Sequence, residues 1–298
     1  MLKVLLTRGL FAALAGLALA PAAANAGIFF PEKGGSENAD KIWTLYLLIF
    51  ILAWIVFLGV AGALVWAMVK YRARPRRNMV AAQIHGNTRL EIGWTVGAFV
   101  ILVFITVFTF ITLPGIKNPP ASDIDENGNP VTASNALYAS TDQPDPPAGS
   151  ASLNIRVDGQ QYVWRYQYPR SEKQIFSYVD MVVPVGMTVT LDITADDVIH
   201  SWWIPKLGGK MDAVPGYTNK SWFKIPESAI PEGEDQVVFD GQCAELCGRN
   251  HANMIGRVIG MRFPDYKAWV DRKAEEIKSA REEAARKREE IDEQNSTQ

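Results

Sequence analysis

Cys243-Ala-Glu-Leu-Cys247-Gly-Arg-Asn-His251-Ala-Asn-Met254 brings two thiols, an imidazole and a thioether into one short stretch. These soft and borderline donors favour copper over calcium or magnesium. A further imidazole, His200, stands upstream in Asp197-Val-Ile-His200-Ser-Trp-Trp. The chain holds 2 cysteines and 3 histidines, so both thiols and most imidazoles belong to this constellation. The plainer reading of a cysteine pair in an exported chain is a disulfide. The His and Met at short fixed spacing after Cys247 argue against it. Zinc fits less well, because its cysteine pairs are usually Cys-x2-Cys or Cys-x4-Cys and Met is a poor zinc ligand. Two thiolates separated by Ala-Glu-Leu can instead both bridge a pair of metal ions. Each ion then needs one His and one weak axial donor.

The sequence around this loop has the period of strands. Met187, Val189, Leu191 and Ile193 alternate with Thr188, Thr190, Asp192 and Thr194, as in a half-buried strand. Residues 236–240 and 257–263 read as further strands. Val185-Gly186, Leu207-Gly208-Gly209 and Pro231-Glu232-Gly233 are the turns between strands. Many short strands over 151–264 predict a β-sandwich or barrel.

The rest of the 298 residues, 48% hydrophobic, divides sharply. A net charge of −2 excludes a strongly basic nucleic-acid binder. Lys3 and Arg8, an apolar stretch and Ala24-Asn25-Ala26 make 1–26 a cleaved signal peptide, leaving 27–41 as a short segment outside the membrane. Two uncharged apolar runs, 42–69 and 92–113, each reach the about 20 residues needed to cross a bilayer. Lys70, Arg72, Arg74, Arg76 and Arg77 mark loop 70–91 as cytoplasmic. Residues 42–116 therefore form a hairpin with both ends outside. The linker 117–150, rich in Pro and Asp, is expected to be largely mobile. Residues 265–298, dominated by Ala, Glu, Lys and Arg, predict a charged, solvated helix. No Cys-x-x-Cys-His is present for an attached haem.

Cys-x3-Cys-x3-His-x2-Met with an upstream Asp-Val-Ile-His resembles the binuclear copper centre CuA, and the Glu between the cysteines resembles subunit II of cytochrome c oxidase. The likeness covers about 40–115 and 151–265. It implies a membrane protein with a two-helix transmembrane hairpin, then a cupredoxin-like β-sandwich and the charged C-terminal helix. It implies that Cys243 and Cys247 bridge two coppers, one completed by His200 and Met254, the other by His251 and the carbonyl of Glu245. The Glu245 side chain would face magnesium at the boundary with subunit I. The implied activity is transfer of electrons from cytochrome c to haem in subunit I, where oxygen is reduced with proton pumping. Further oxidase subunits, cytochrome c and the bacterial cytoplasmic membrane are the implied partners, with the copper domain outside; haem belongs to the partner subunit alone.

Gly159-Gln-Gln-Tyr162-Val-Trp164-Arg-Tyr166 is similar to the family's Gly-x-Gln-Trp-x-Trp-x-Tyr segment, with Tyr162 where the electron-accepting Trp stands. Tyr162 and Trp164 are the candidates for electron uptake; the plainer reading of Trp164 and Tyr166 is core aromatics. Asp196 and Asp197 match docking positions for cytochrome c. His85-Gly-Asn-Thr-Arg-Leu-Glu91-Ile-Gly-Trp resembles the start of the family's second helix, which implies proton uptake at Glu91, with His85 close by. Ala98 replaces a family Pro, so a straighter helix is expected. A quinol oxidase subunit lacks the copper ligands found here. A related nitric or nitrous oxide reductase and a copper chaperone are the other readings; neither requires the hairpin together with Cys-x-Glu-x-Cys.

Overall fold

The structure, a computed structural model, describes residues 30–72, 83, 85–131, 150–168 and 175–296. The expected signal peptide, most of the basic loop and the later part of the linker lie outside the described residues.

Helix α1 spans Glu37–Lys70 and α2 spans Thr88–Lys117. Both are long and apolar enough to cross a membrane. They exceed the apolar runs at both ends, because polar residues can start and finish helices that hydropathy alone cannot see. Glu37 and Asp40 sit in the first turn of α1, where the helix dipole favours them. Asn87 caps α2 by accepting from Leu90 N–H at 3.2 Å, and Glu91 returns the bond by accepting from Asn87 N–H at 3.0 Å. The helix runs unbroken through Ala98.

The strands are β1 Leu153–Gln160, β2 Val163–Gln167, β3 Phe176–Tyr178, β4 Asp180–Pro184, β5 Thr188–Ala195, β6 His200–Trp202, β7 Met211–Ala213, β8 Asn219–Lys224, β9 Gln236–Gln242 and β10 Ile255–Met261. They form a five-stranded sheet β3-β2-β1-β5-β8, a three-stranded sheet β4-β10-β9 and the ribbon β6-β7. Ile155, Val157, Leu191, Ile193, Trp164 and Tyr166 from one sheet meet Met181, Val183, Phe239 and Val258 from the other in one apolar core. On the opposite face of β1, Asp158 is also fully buried, held by Arg156 at 2.7 Å, Arg165 at 3.0 Å and Gln167 at 2.6 Å.

Two expectations need adjusting. The start of the linker is folded: Ser122 and Asp123 bond to β5 and the turn before it, and Ile124 bridges Pro130. Backbone bonds supply the order that its apolar content lacks. The C-terminal helix α3, Phe263–Ser296, is solvated only in its outer part. Trp269, Val270, Ala274 and Ile277 pack on the sandwich core, and Trp269 lies 5.5 Å from the Tyr168 ring.

Candidate metal centre

The Cys243–Met254 loop connects β9 to β10, and its ends are pinned together. Cys243 N–H donates to Met254 O at 2.9 Å, and Ile255 is in register with Gln242. The incoming strand is also tied to β6 and the residue after it: Gln242 N–H donates to Trp203 O and Ala244 N–H to Ser201 O. That pairing is what brings His200, the first residue of β6, against the loop.

The donors converge in a dry site. His200 and Met254 are 0% exposed, and each cysteine 3%. The sulfurs stand 3.9 Å apart and both thiols are free. A disulfide requires about 2.05 Å, so the structure does not contain that alternative. His200 Nδ1 lies 3.8 Å from Cys243 Sγ, and His251 Nδ1 lies 3.5 Å from Cys247 Sγ. Met254 Sδ is 3.9 Å from Cys247 Sγ, and Glu245 O is 3.3 Å from Cys243 Sγ. His200, Cys243 and Cys247 could hold a metal ion together, since their donor atoms all lie within 4.8 Å of one another. Thiolate, imidazole and thioether donors at this separation suit copper. The Glu245 side chain is exposed.

Electrostatics makes the thiols unequal. Burial pushes the Cys243 thiol up, but hydrogen bonding from His200, then from the Ser201 and Glu245 backbone, outweighs it and leaves the pKa at about 6. At Cys247, burial and then the charge on Cys243 hold it up at about 11. Burial works against a charged His200, yet its bonds to Cys243 and Asp197 raise its pKa. Asp197 is lowered: burial opposes the charge, and bonds from His200, Gln161 and Val198 overcome it.

Asp197 Oδ1 lies 2.8 Å from His200 Nε2, leaving Nδ1 turned to the sulfurs. A carboxylate behind a ligating imidazole fixes its tautomer and orientation. Asp196 is bonded by Gln160 at 2.7 Å and lies 4.0 Å from Arg165. Trp164 is 1% exposed, with its ring 5.8 Å from that of His200. Tyr162 belongs to the β1–β2 turn and is half-buried. Tyr166 is core, its hydroxyl accepting from Trp202 at 3.4 Å. Glu91 lies in the first turn of α2 and His85 just before the helix, both exposed and far along the chain from the metal site.

Gln161 is a site residue that sequence reading passed over. Its Nε2 donates to Cys247 O at 2.6 Å and its backbone N–H to Asp197 Oδ2 at 2.7 Å, so it clasps both ligand segments. Its place inside the aromatic motif was the available signal. Gly248 is needed beneath this clasp: its φ is +122°, and a Cβ there would meet Tyr162 Oη at 2.8 Å. Gly159 leaves room for His200, whose ring a Cβ would meet at 3.0 Å.

Two membrane-length helices followed by a sandwich with soft donors gathered at one end define a membrane-anchored, cupredoxin-like protein. The family described as cytochrome c oxidase subunit II, periplasmic domain, matches residues 175–260, and its transmembrane domain matches 23–112. Cytochrome c oxidase subunit 2 of Alkalihalophilus pseudofirmus is 33% identical over 87% of this chain and 66% of its own length. That of Cereibacter sphaeroides is 32% identical over 81% of each chain. The chain thus spans about two thirds of the first relative's length and more of the second's. The solved periplasmic domain of cytochrome oxidase subunit II from Bradyrhizobium japonicum is 30% identical over 43% of this chain and 96% of its own, with a TM-score of 0.38. The chain belongs to the cytochrome c oxidase subunit II family. It is a membrane protein with two spanning helices and a periplasmic domain.

Proposed function

We propose that this chain takes electrons from a cytochrome c outside the membrane and passes them to haem in subunit I, where oxygen is reduced and protons are translocated. The observation that supports this most is the buried pair of free thiols with His200, His251 and Met254 around it. His200, Cys243, Cys247, His251, Met254 and the Glu245 carbonyl would hold the copper pair. Bound there, the copper pair would supply one-electron exchange. The chain's own residues do the rest. The sandwich excludes water, Asp197 orients His200, and Gln161 holds the Cys247 carbonyl.

The same reading assigns Tyr162 and Trp164 to electron uptake, supported by the ring contact of Trp164 with His200. Asp196 and Asp197 would steer a basic cytochrome c, so association should weaken with salt. The exposed Glu245 carboxylate would reach magnesium at the subunit I boundary. Glu91 and His85 would admit protons on the cytoplasmic side. A leader removed after Ala26 belongs to the same proposal.

The full-length chain in detergent, reduced and given copper, should turn purple and bind about two copper ions. Cys247→Ser should abolish the colour and lower the copper count. A Cys243–Cys247 disulfide that survives reductant, with no copper uptake, would overturn the proposal.

A further inference from the structure

Lys224 is a buried cation that the metal site does not use. It ends β8, the edge strand of the five-stranded sheet, and its side chain is 7% exposed. Nζ lies 3.0 Å from Glu37 in the first turn of α1 and 3.0 Å from Asp123, beyond the end of α2. The same ammonium donates to Ala121 O at 3.4 Å. Burial disfavours its charge, and the two carboxylates more than compensate, raising its pKa.

The backbone around it makes the same junction. Lys224 N–H donates to Ser36 Oγ at 3.1 Å, just before α1. Trp222 Nε1 donates to Ile116 O at 2.9 Å near the end of α2, while Trp222 O accepts from Asn38 Nδ2 at 2.8 Å. Thr188, the β5 partner of Lys224, donates from Oγ1 to Pro120 O and from its N–H to Ser122 Oγ, both at 2.8 Å. Lys41 Nζ joins α1 to Gly115 O of α2 at 3.2 Å. One short piece of β-sheet edge therefore grips both membrane helices at once.

Apolar residues could have filled this junction. The ammonium is buried while its carboxylates are half exposed; such a charge adds little net stability over a well-packed apolar group, and its best-attested use is to fix one arrangement. Here the two carboxylates come from different chain segments. They meet a single ammonium only when the start of α1 and the segment that follows α2 sit in one position against β8.

We propose that Lys224 is a positioning residue that locks the sandwich onto the membrane hairpin and so fixes the path from the metal centre to the partner subunit. The first half, the lock, stands on the contacts alone; the second rests on the proposed function. Electron transfer falls steeply with distance, so a sandwich free to rock would transfer more slowly and less uniformly.

The test uses the full-length chain and the assembled oxidase. Lys224→Met leaves two half-exposed carboxylates without their cation, so the charge-free combination Lys224→Met, Glu37→Gln and Asp123→Asn is studied beside it. In the metal-free chain in detergent, hydrogen exchange at the Thr188 and Lys224 amides should quicken by about tenfold or more, while β10 amides stay unchanged. In the assembled oxidase, electron transfer from copper to haem should slow several-fold and become multiphasic, with an unchanged copper spectrum and unchanged reduction by cytochrome c. Lys224→Arg should restore much of both. Unchanged exchange in the charge-free variant overturns the lock. Quickened exchange with unchanged internal transfer overturns its role in positioning. Failure to bind copper would strike the proposed function and leave the exchange result standing.

Discussion

Asp197 and Glu91 each lie a few residues from a histidine, and the fold treats them in opposite ways. Asp197 reaches forward to His200, 2.8 Å away, and also accepts from Gln161 and Val198 N–H. Glu91 turns back on its own helix and accepts from Asn87 N–H. The difference lies in what surrounds them. His200 is wholly buried and needs a partner for its outward nitrogen. Glu91 is exposed at a helix start, where the nearest unmet need is a backbone N–H. Spacing in sequence suggests a pair, and burial decides whether the pair is made.

The largest effect is expected from emptying the buried side of this contrast. Trp164 fills the core beside His200, so Trp164→Ala should cost about 3–5 kcal/mol of sandwich stability. Tyr162, half-buried in the turn, should cost far less when changed to Ala, and should slow electron uptake while sparing the copper spectrum. Denaturant unfolding of the two variants, followed by stopped-flow reduction, separates packing from electron uptake. Equal stability losses would show that the turn is as much core as the strand. If neither variant alters transfer, uptake proceeds elsewhere.

The next effect sharpens the role of Asp197. With its carboxylate removed, His200 loses the group that orients it. Asp197→Ala should therefore weaken copper binding by roughly 10–100-fold, measured by competition with a copper chelator. Asp196→Ala should leave copper affinity alone and change only the salt dependence of reaction with cytochrome c. A salt effect from both with no affinity change from Asp197→Ala would return Asp197 to a purely docking role.

These contrasts mark what could be read from sequence. The loop donors Cys243, Cys247, His251 and Met254 were legible because they are neighbours in the chain, and the strand at 187–194 because its period is two. His200 was legible through its resemblance to a known motif. Gln161 and Lys224 were not. Gln161 finds Cys247 across 86 positions, and Lys224 finds Asp123 across 101. Single polar contacts of that reach leave no periodic trace. The membrane helices were found by their apolar middles, while their ends depend on caps such as Asn87, which hydropathy does not register.

On the exposed side of the comparison the effects are smaller. Glu91→Ala removes one net hydrogen bond at the start of α2, worth about 1 kcal/mol, and should quicken exchange at the Asn87 amide accordingly. Glu91→Gln keeps an acceptor for that amide but cannot carry a proton. If Glu91 admits protons, both variants should partly lower oxygen turnover while copper reduction stays fast. If Gln behaves as wild type and only Ala is slow, capping accounts for the residue.

The smallest effect lies in the pH dependence of the junction. Lys224 has its pKa raised above 10.5, because the attraction of Glu37 and Asp123 exceeds the opposing effect of burial. A folded-state pKa above the unfolded one means that the amine binds its proton more tightly in the native chain. Its contribution is then complete below the unfolded value, about 10.4, and is lost only as pH rises through the higher folded value. Protection of the Lys224 amide, corrected for base-catalysed exchange, should stay level from about pH 7 to pH 9 and fall beyond pH 10.5. Lys224→Arg should move the fall to still higher pH, because guanidinium keeps its charge there. A decline centred well below 10.5 would mean that the ammonium is not what closes the junction, and the lock would have to rest on Trp222 and Thr188 instead.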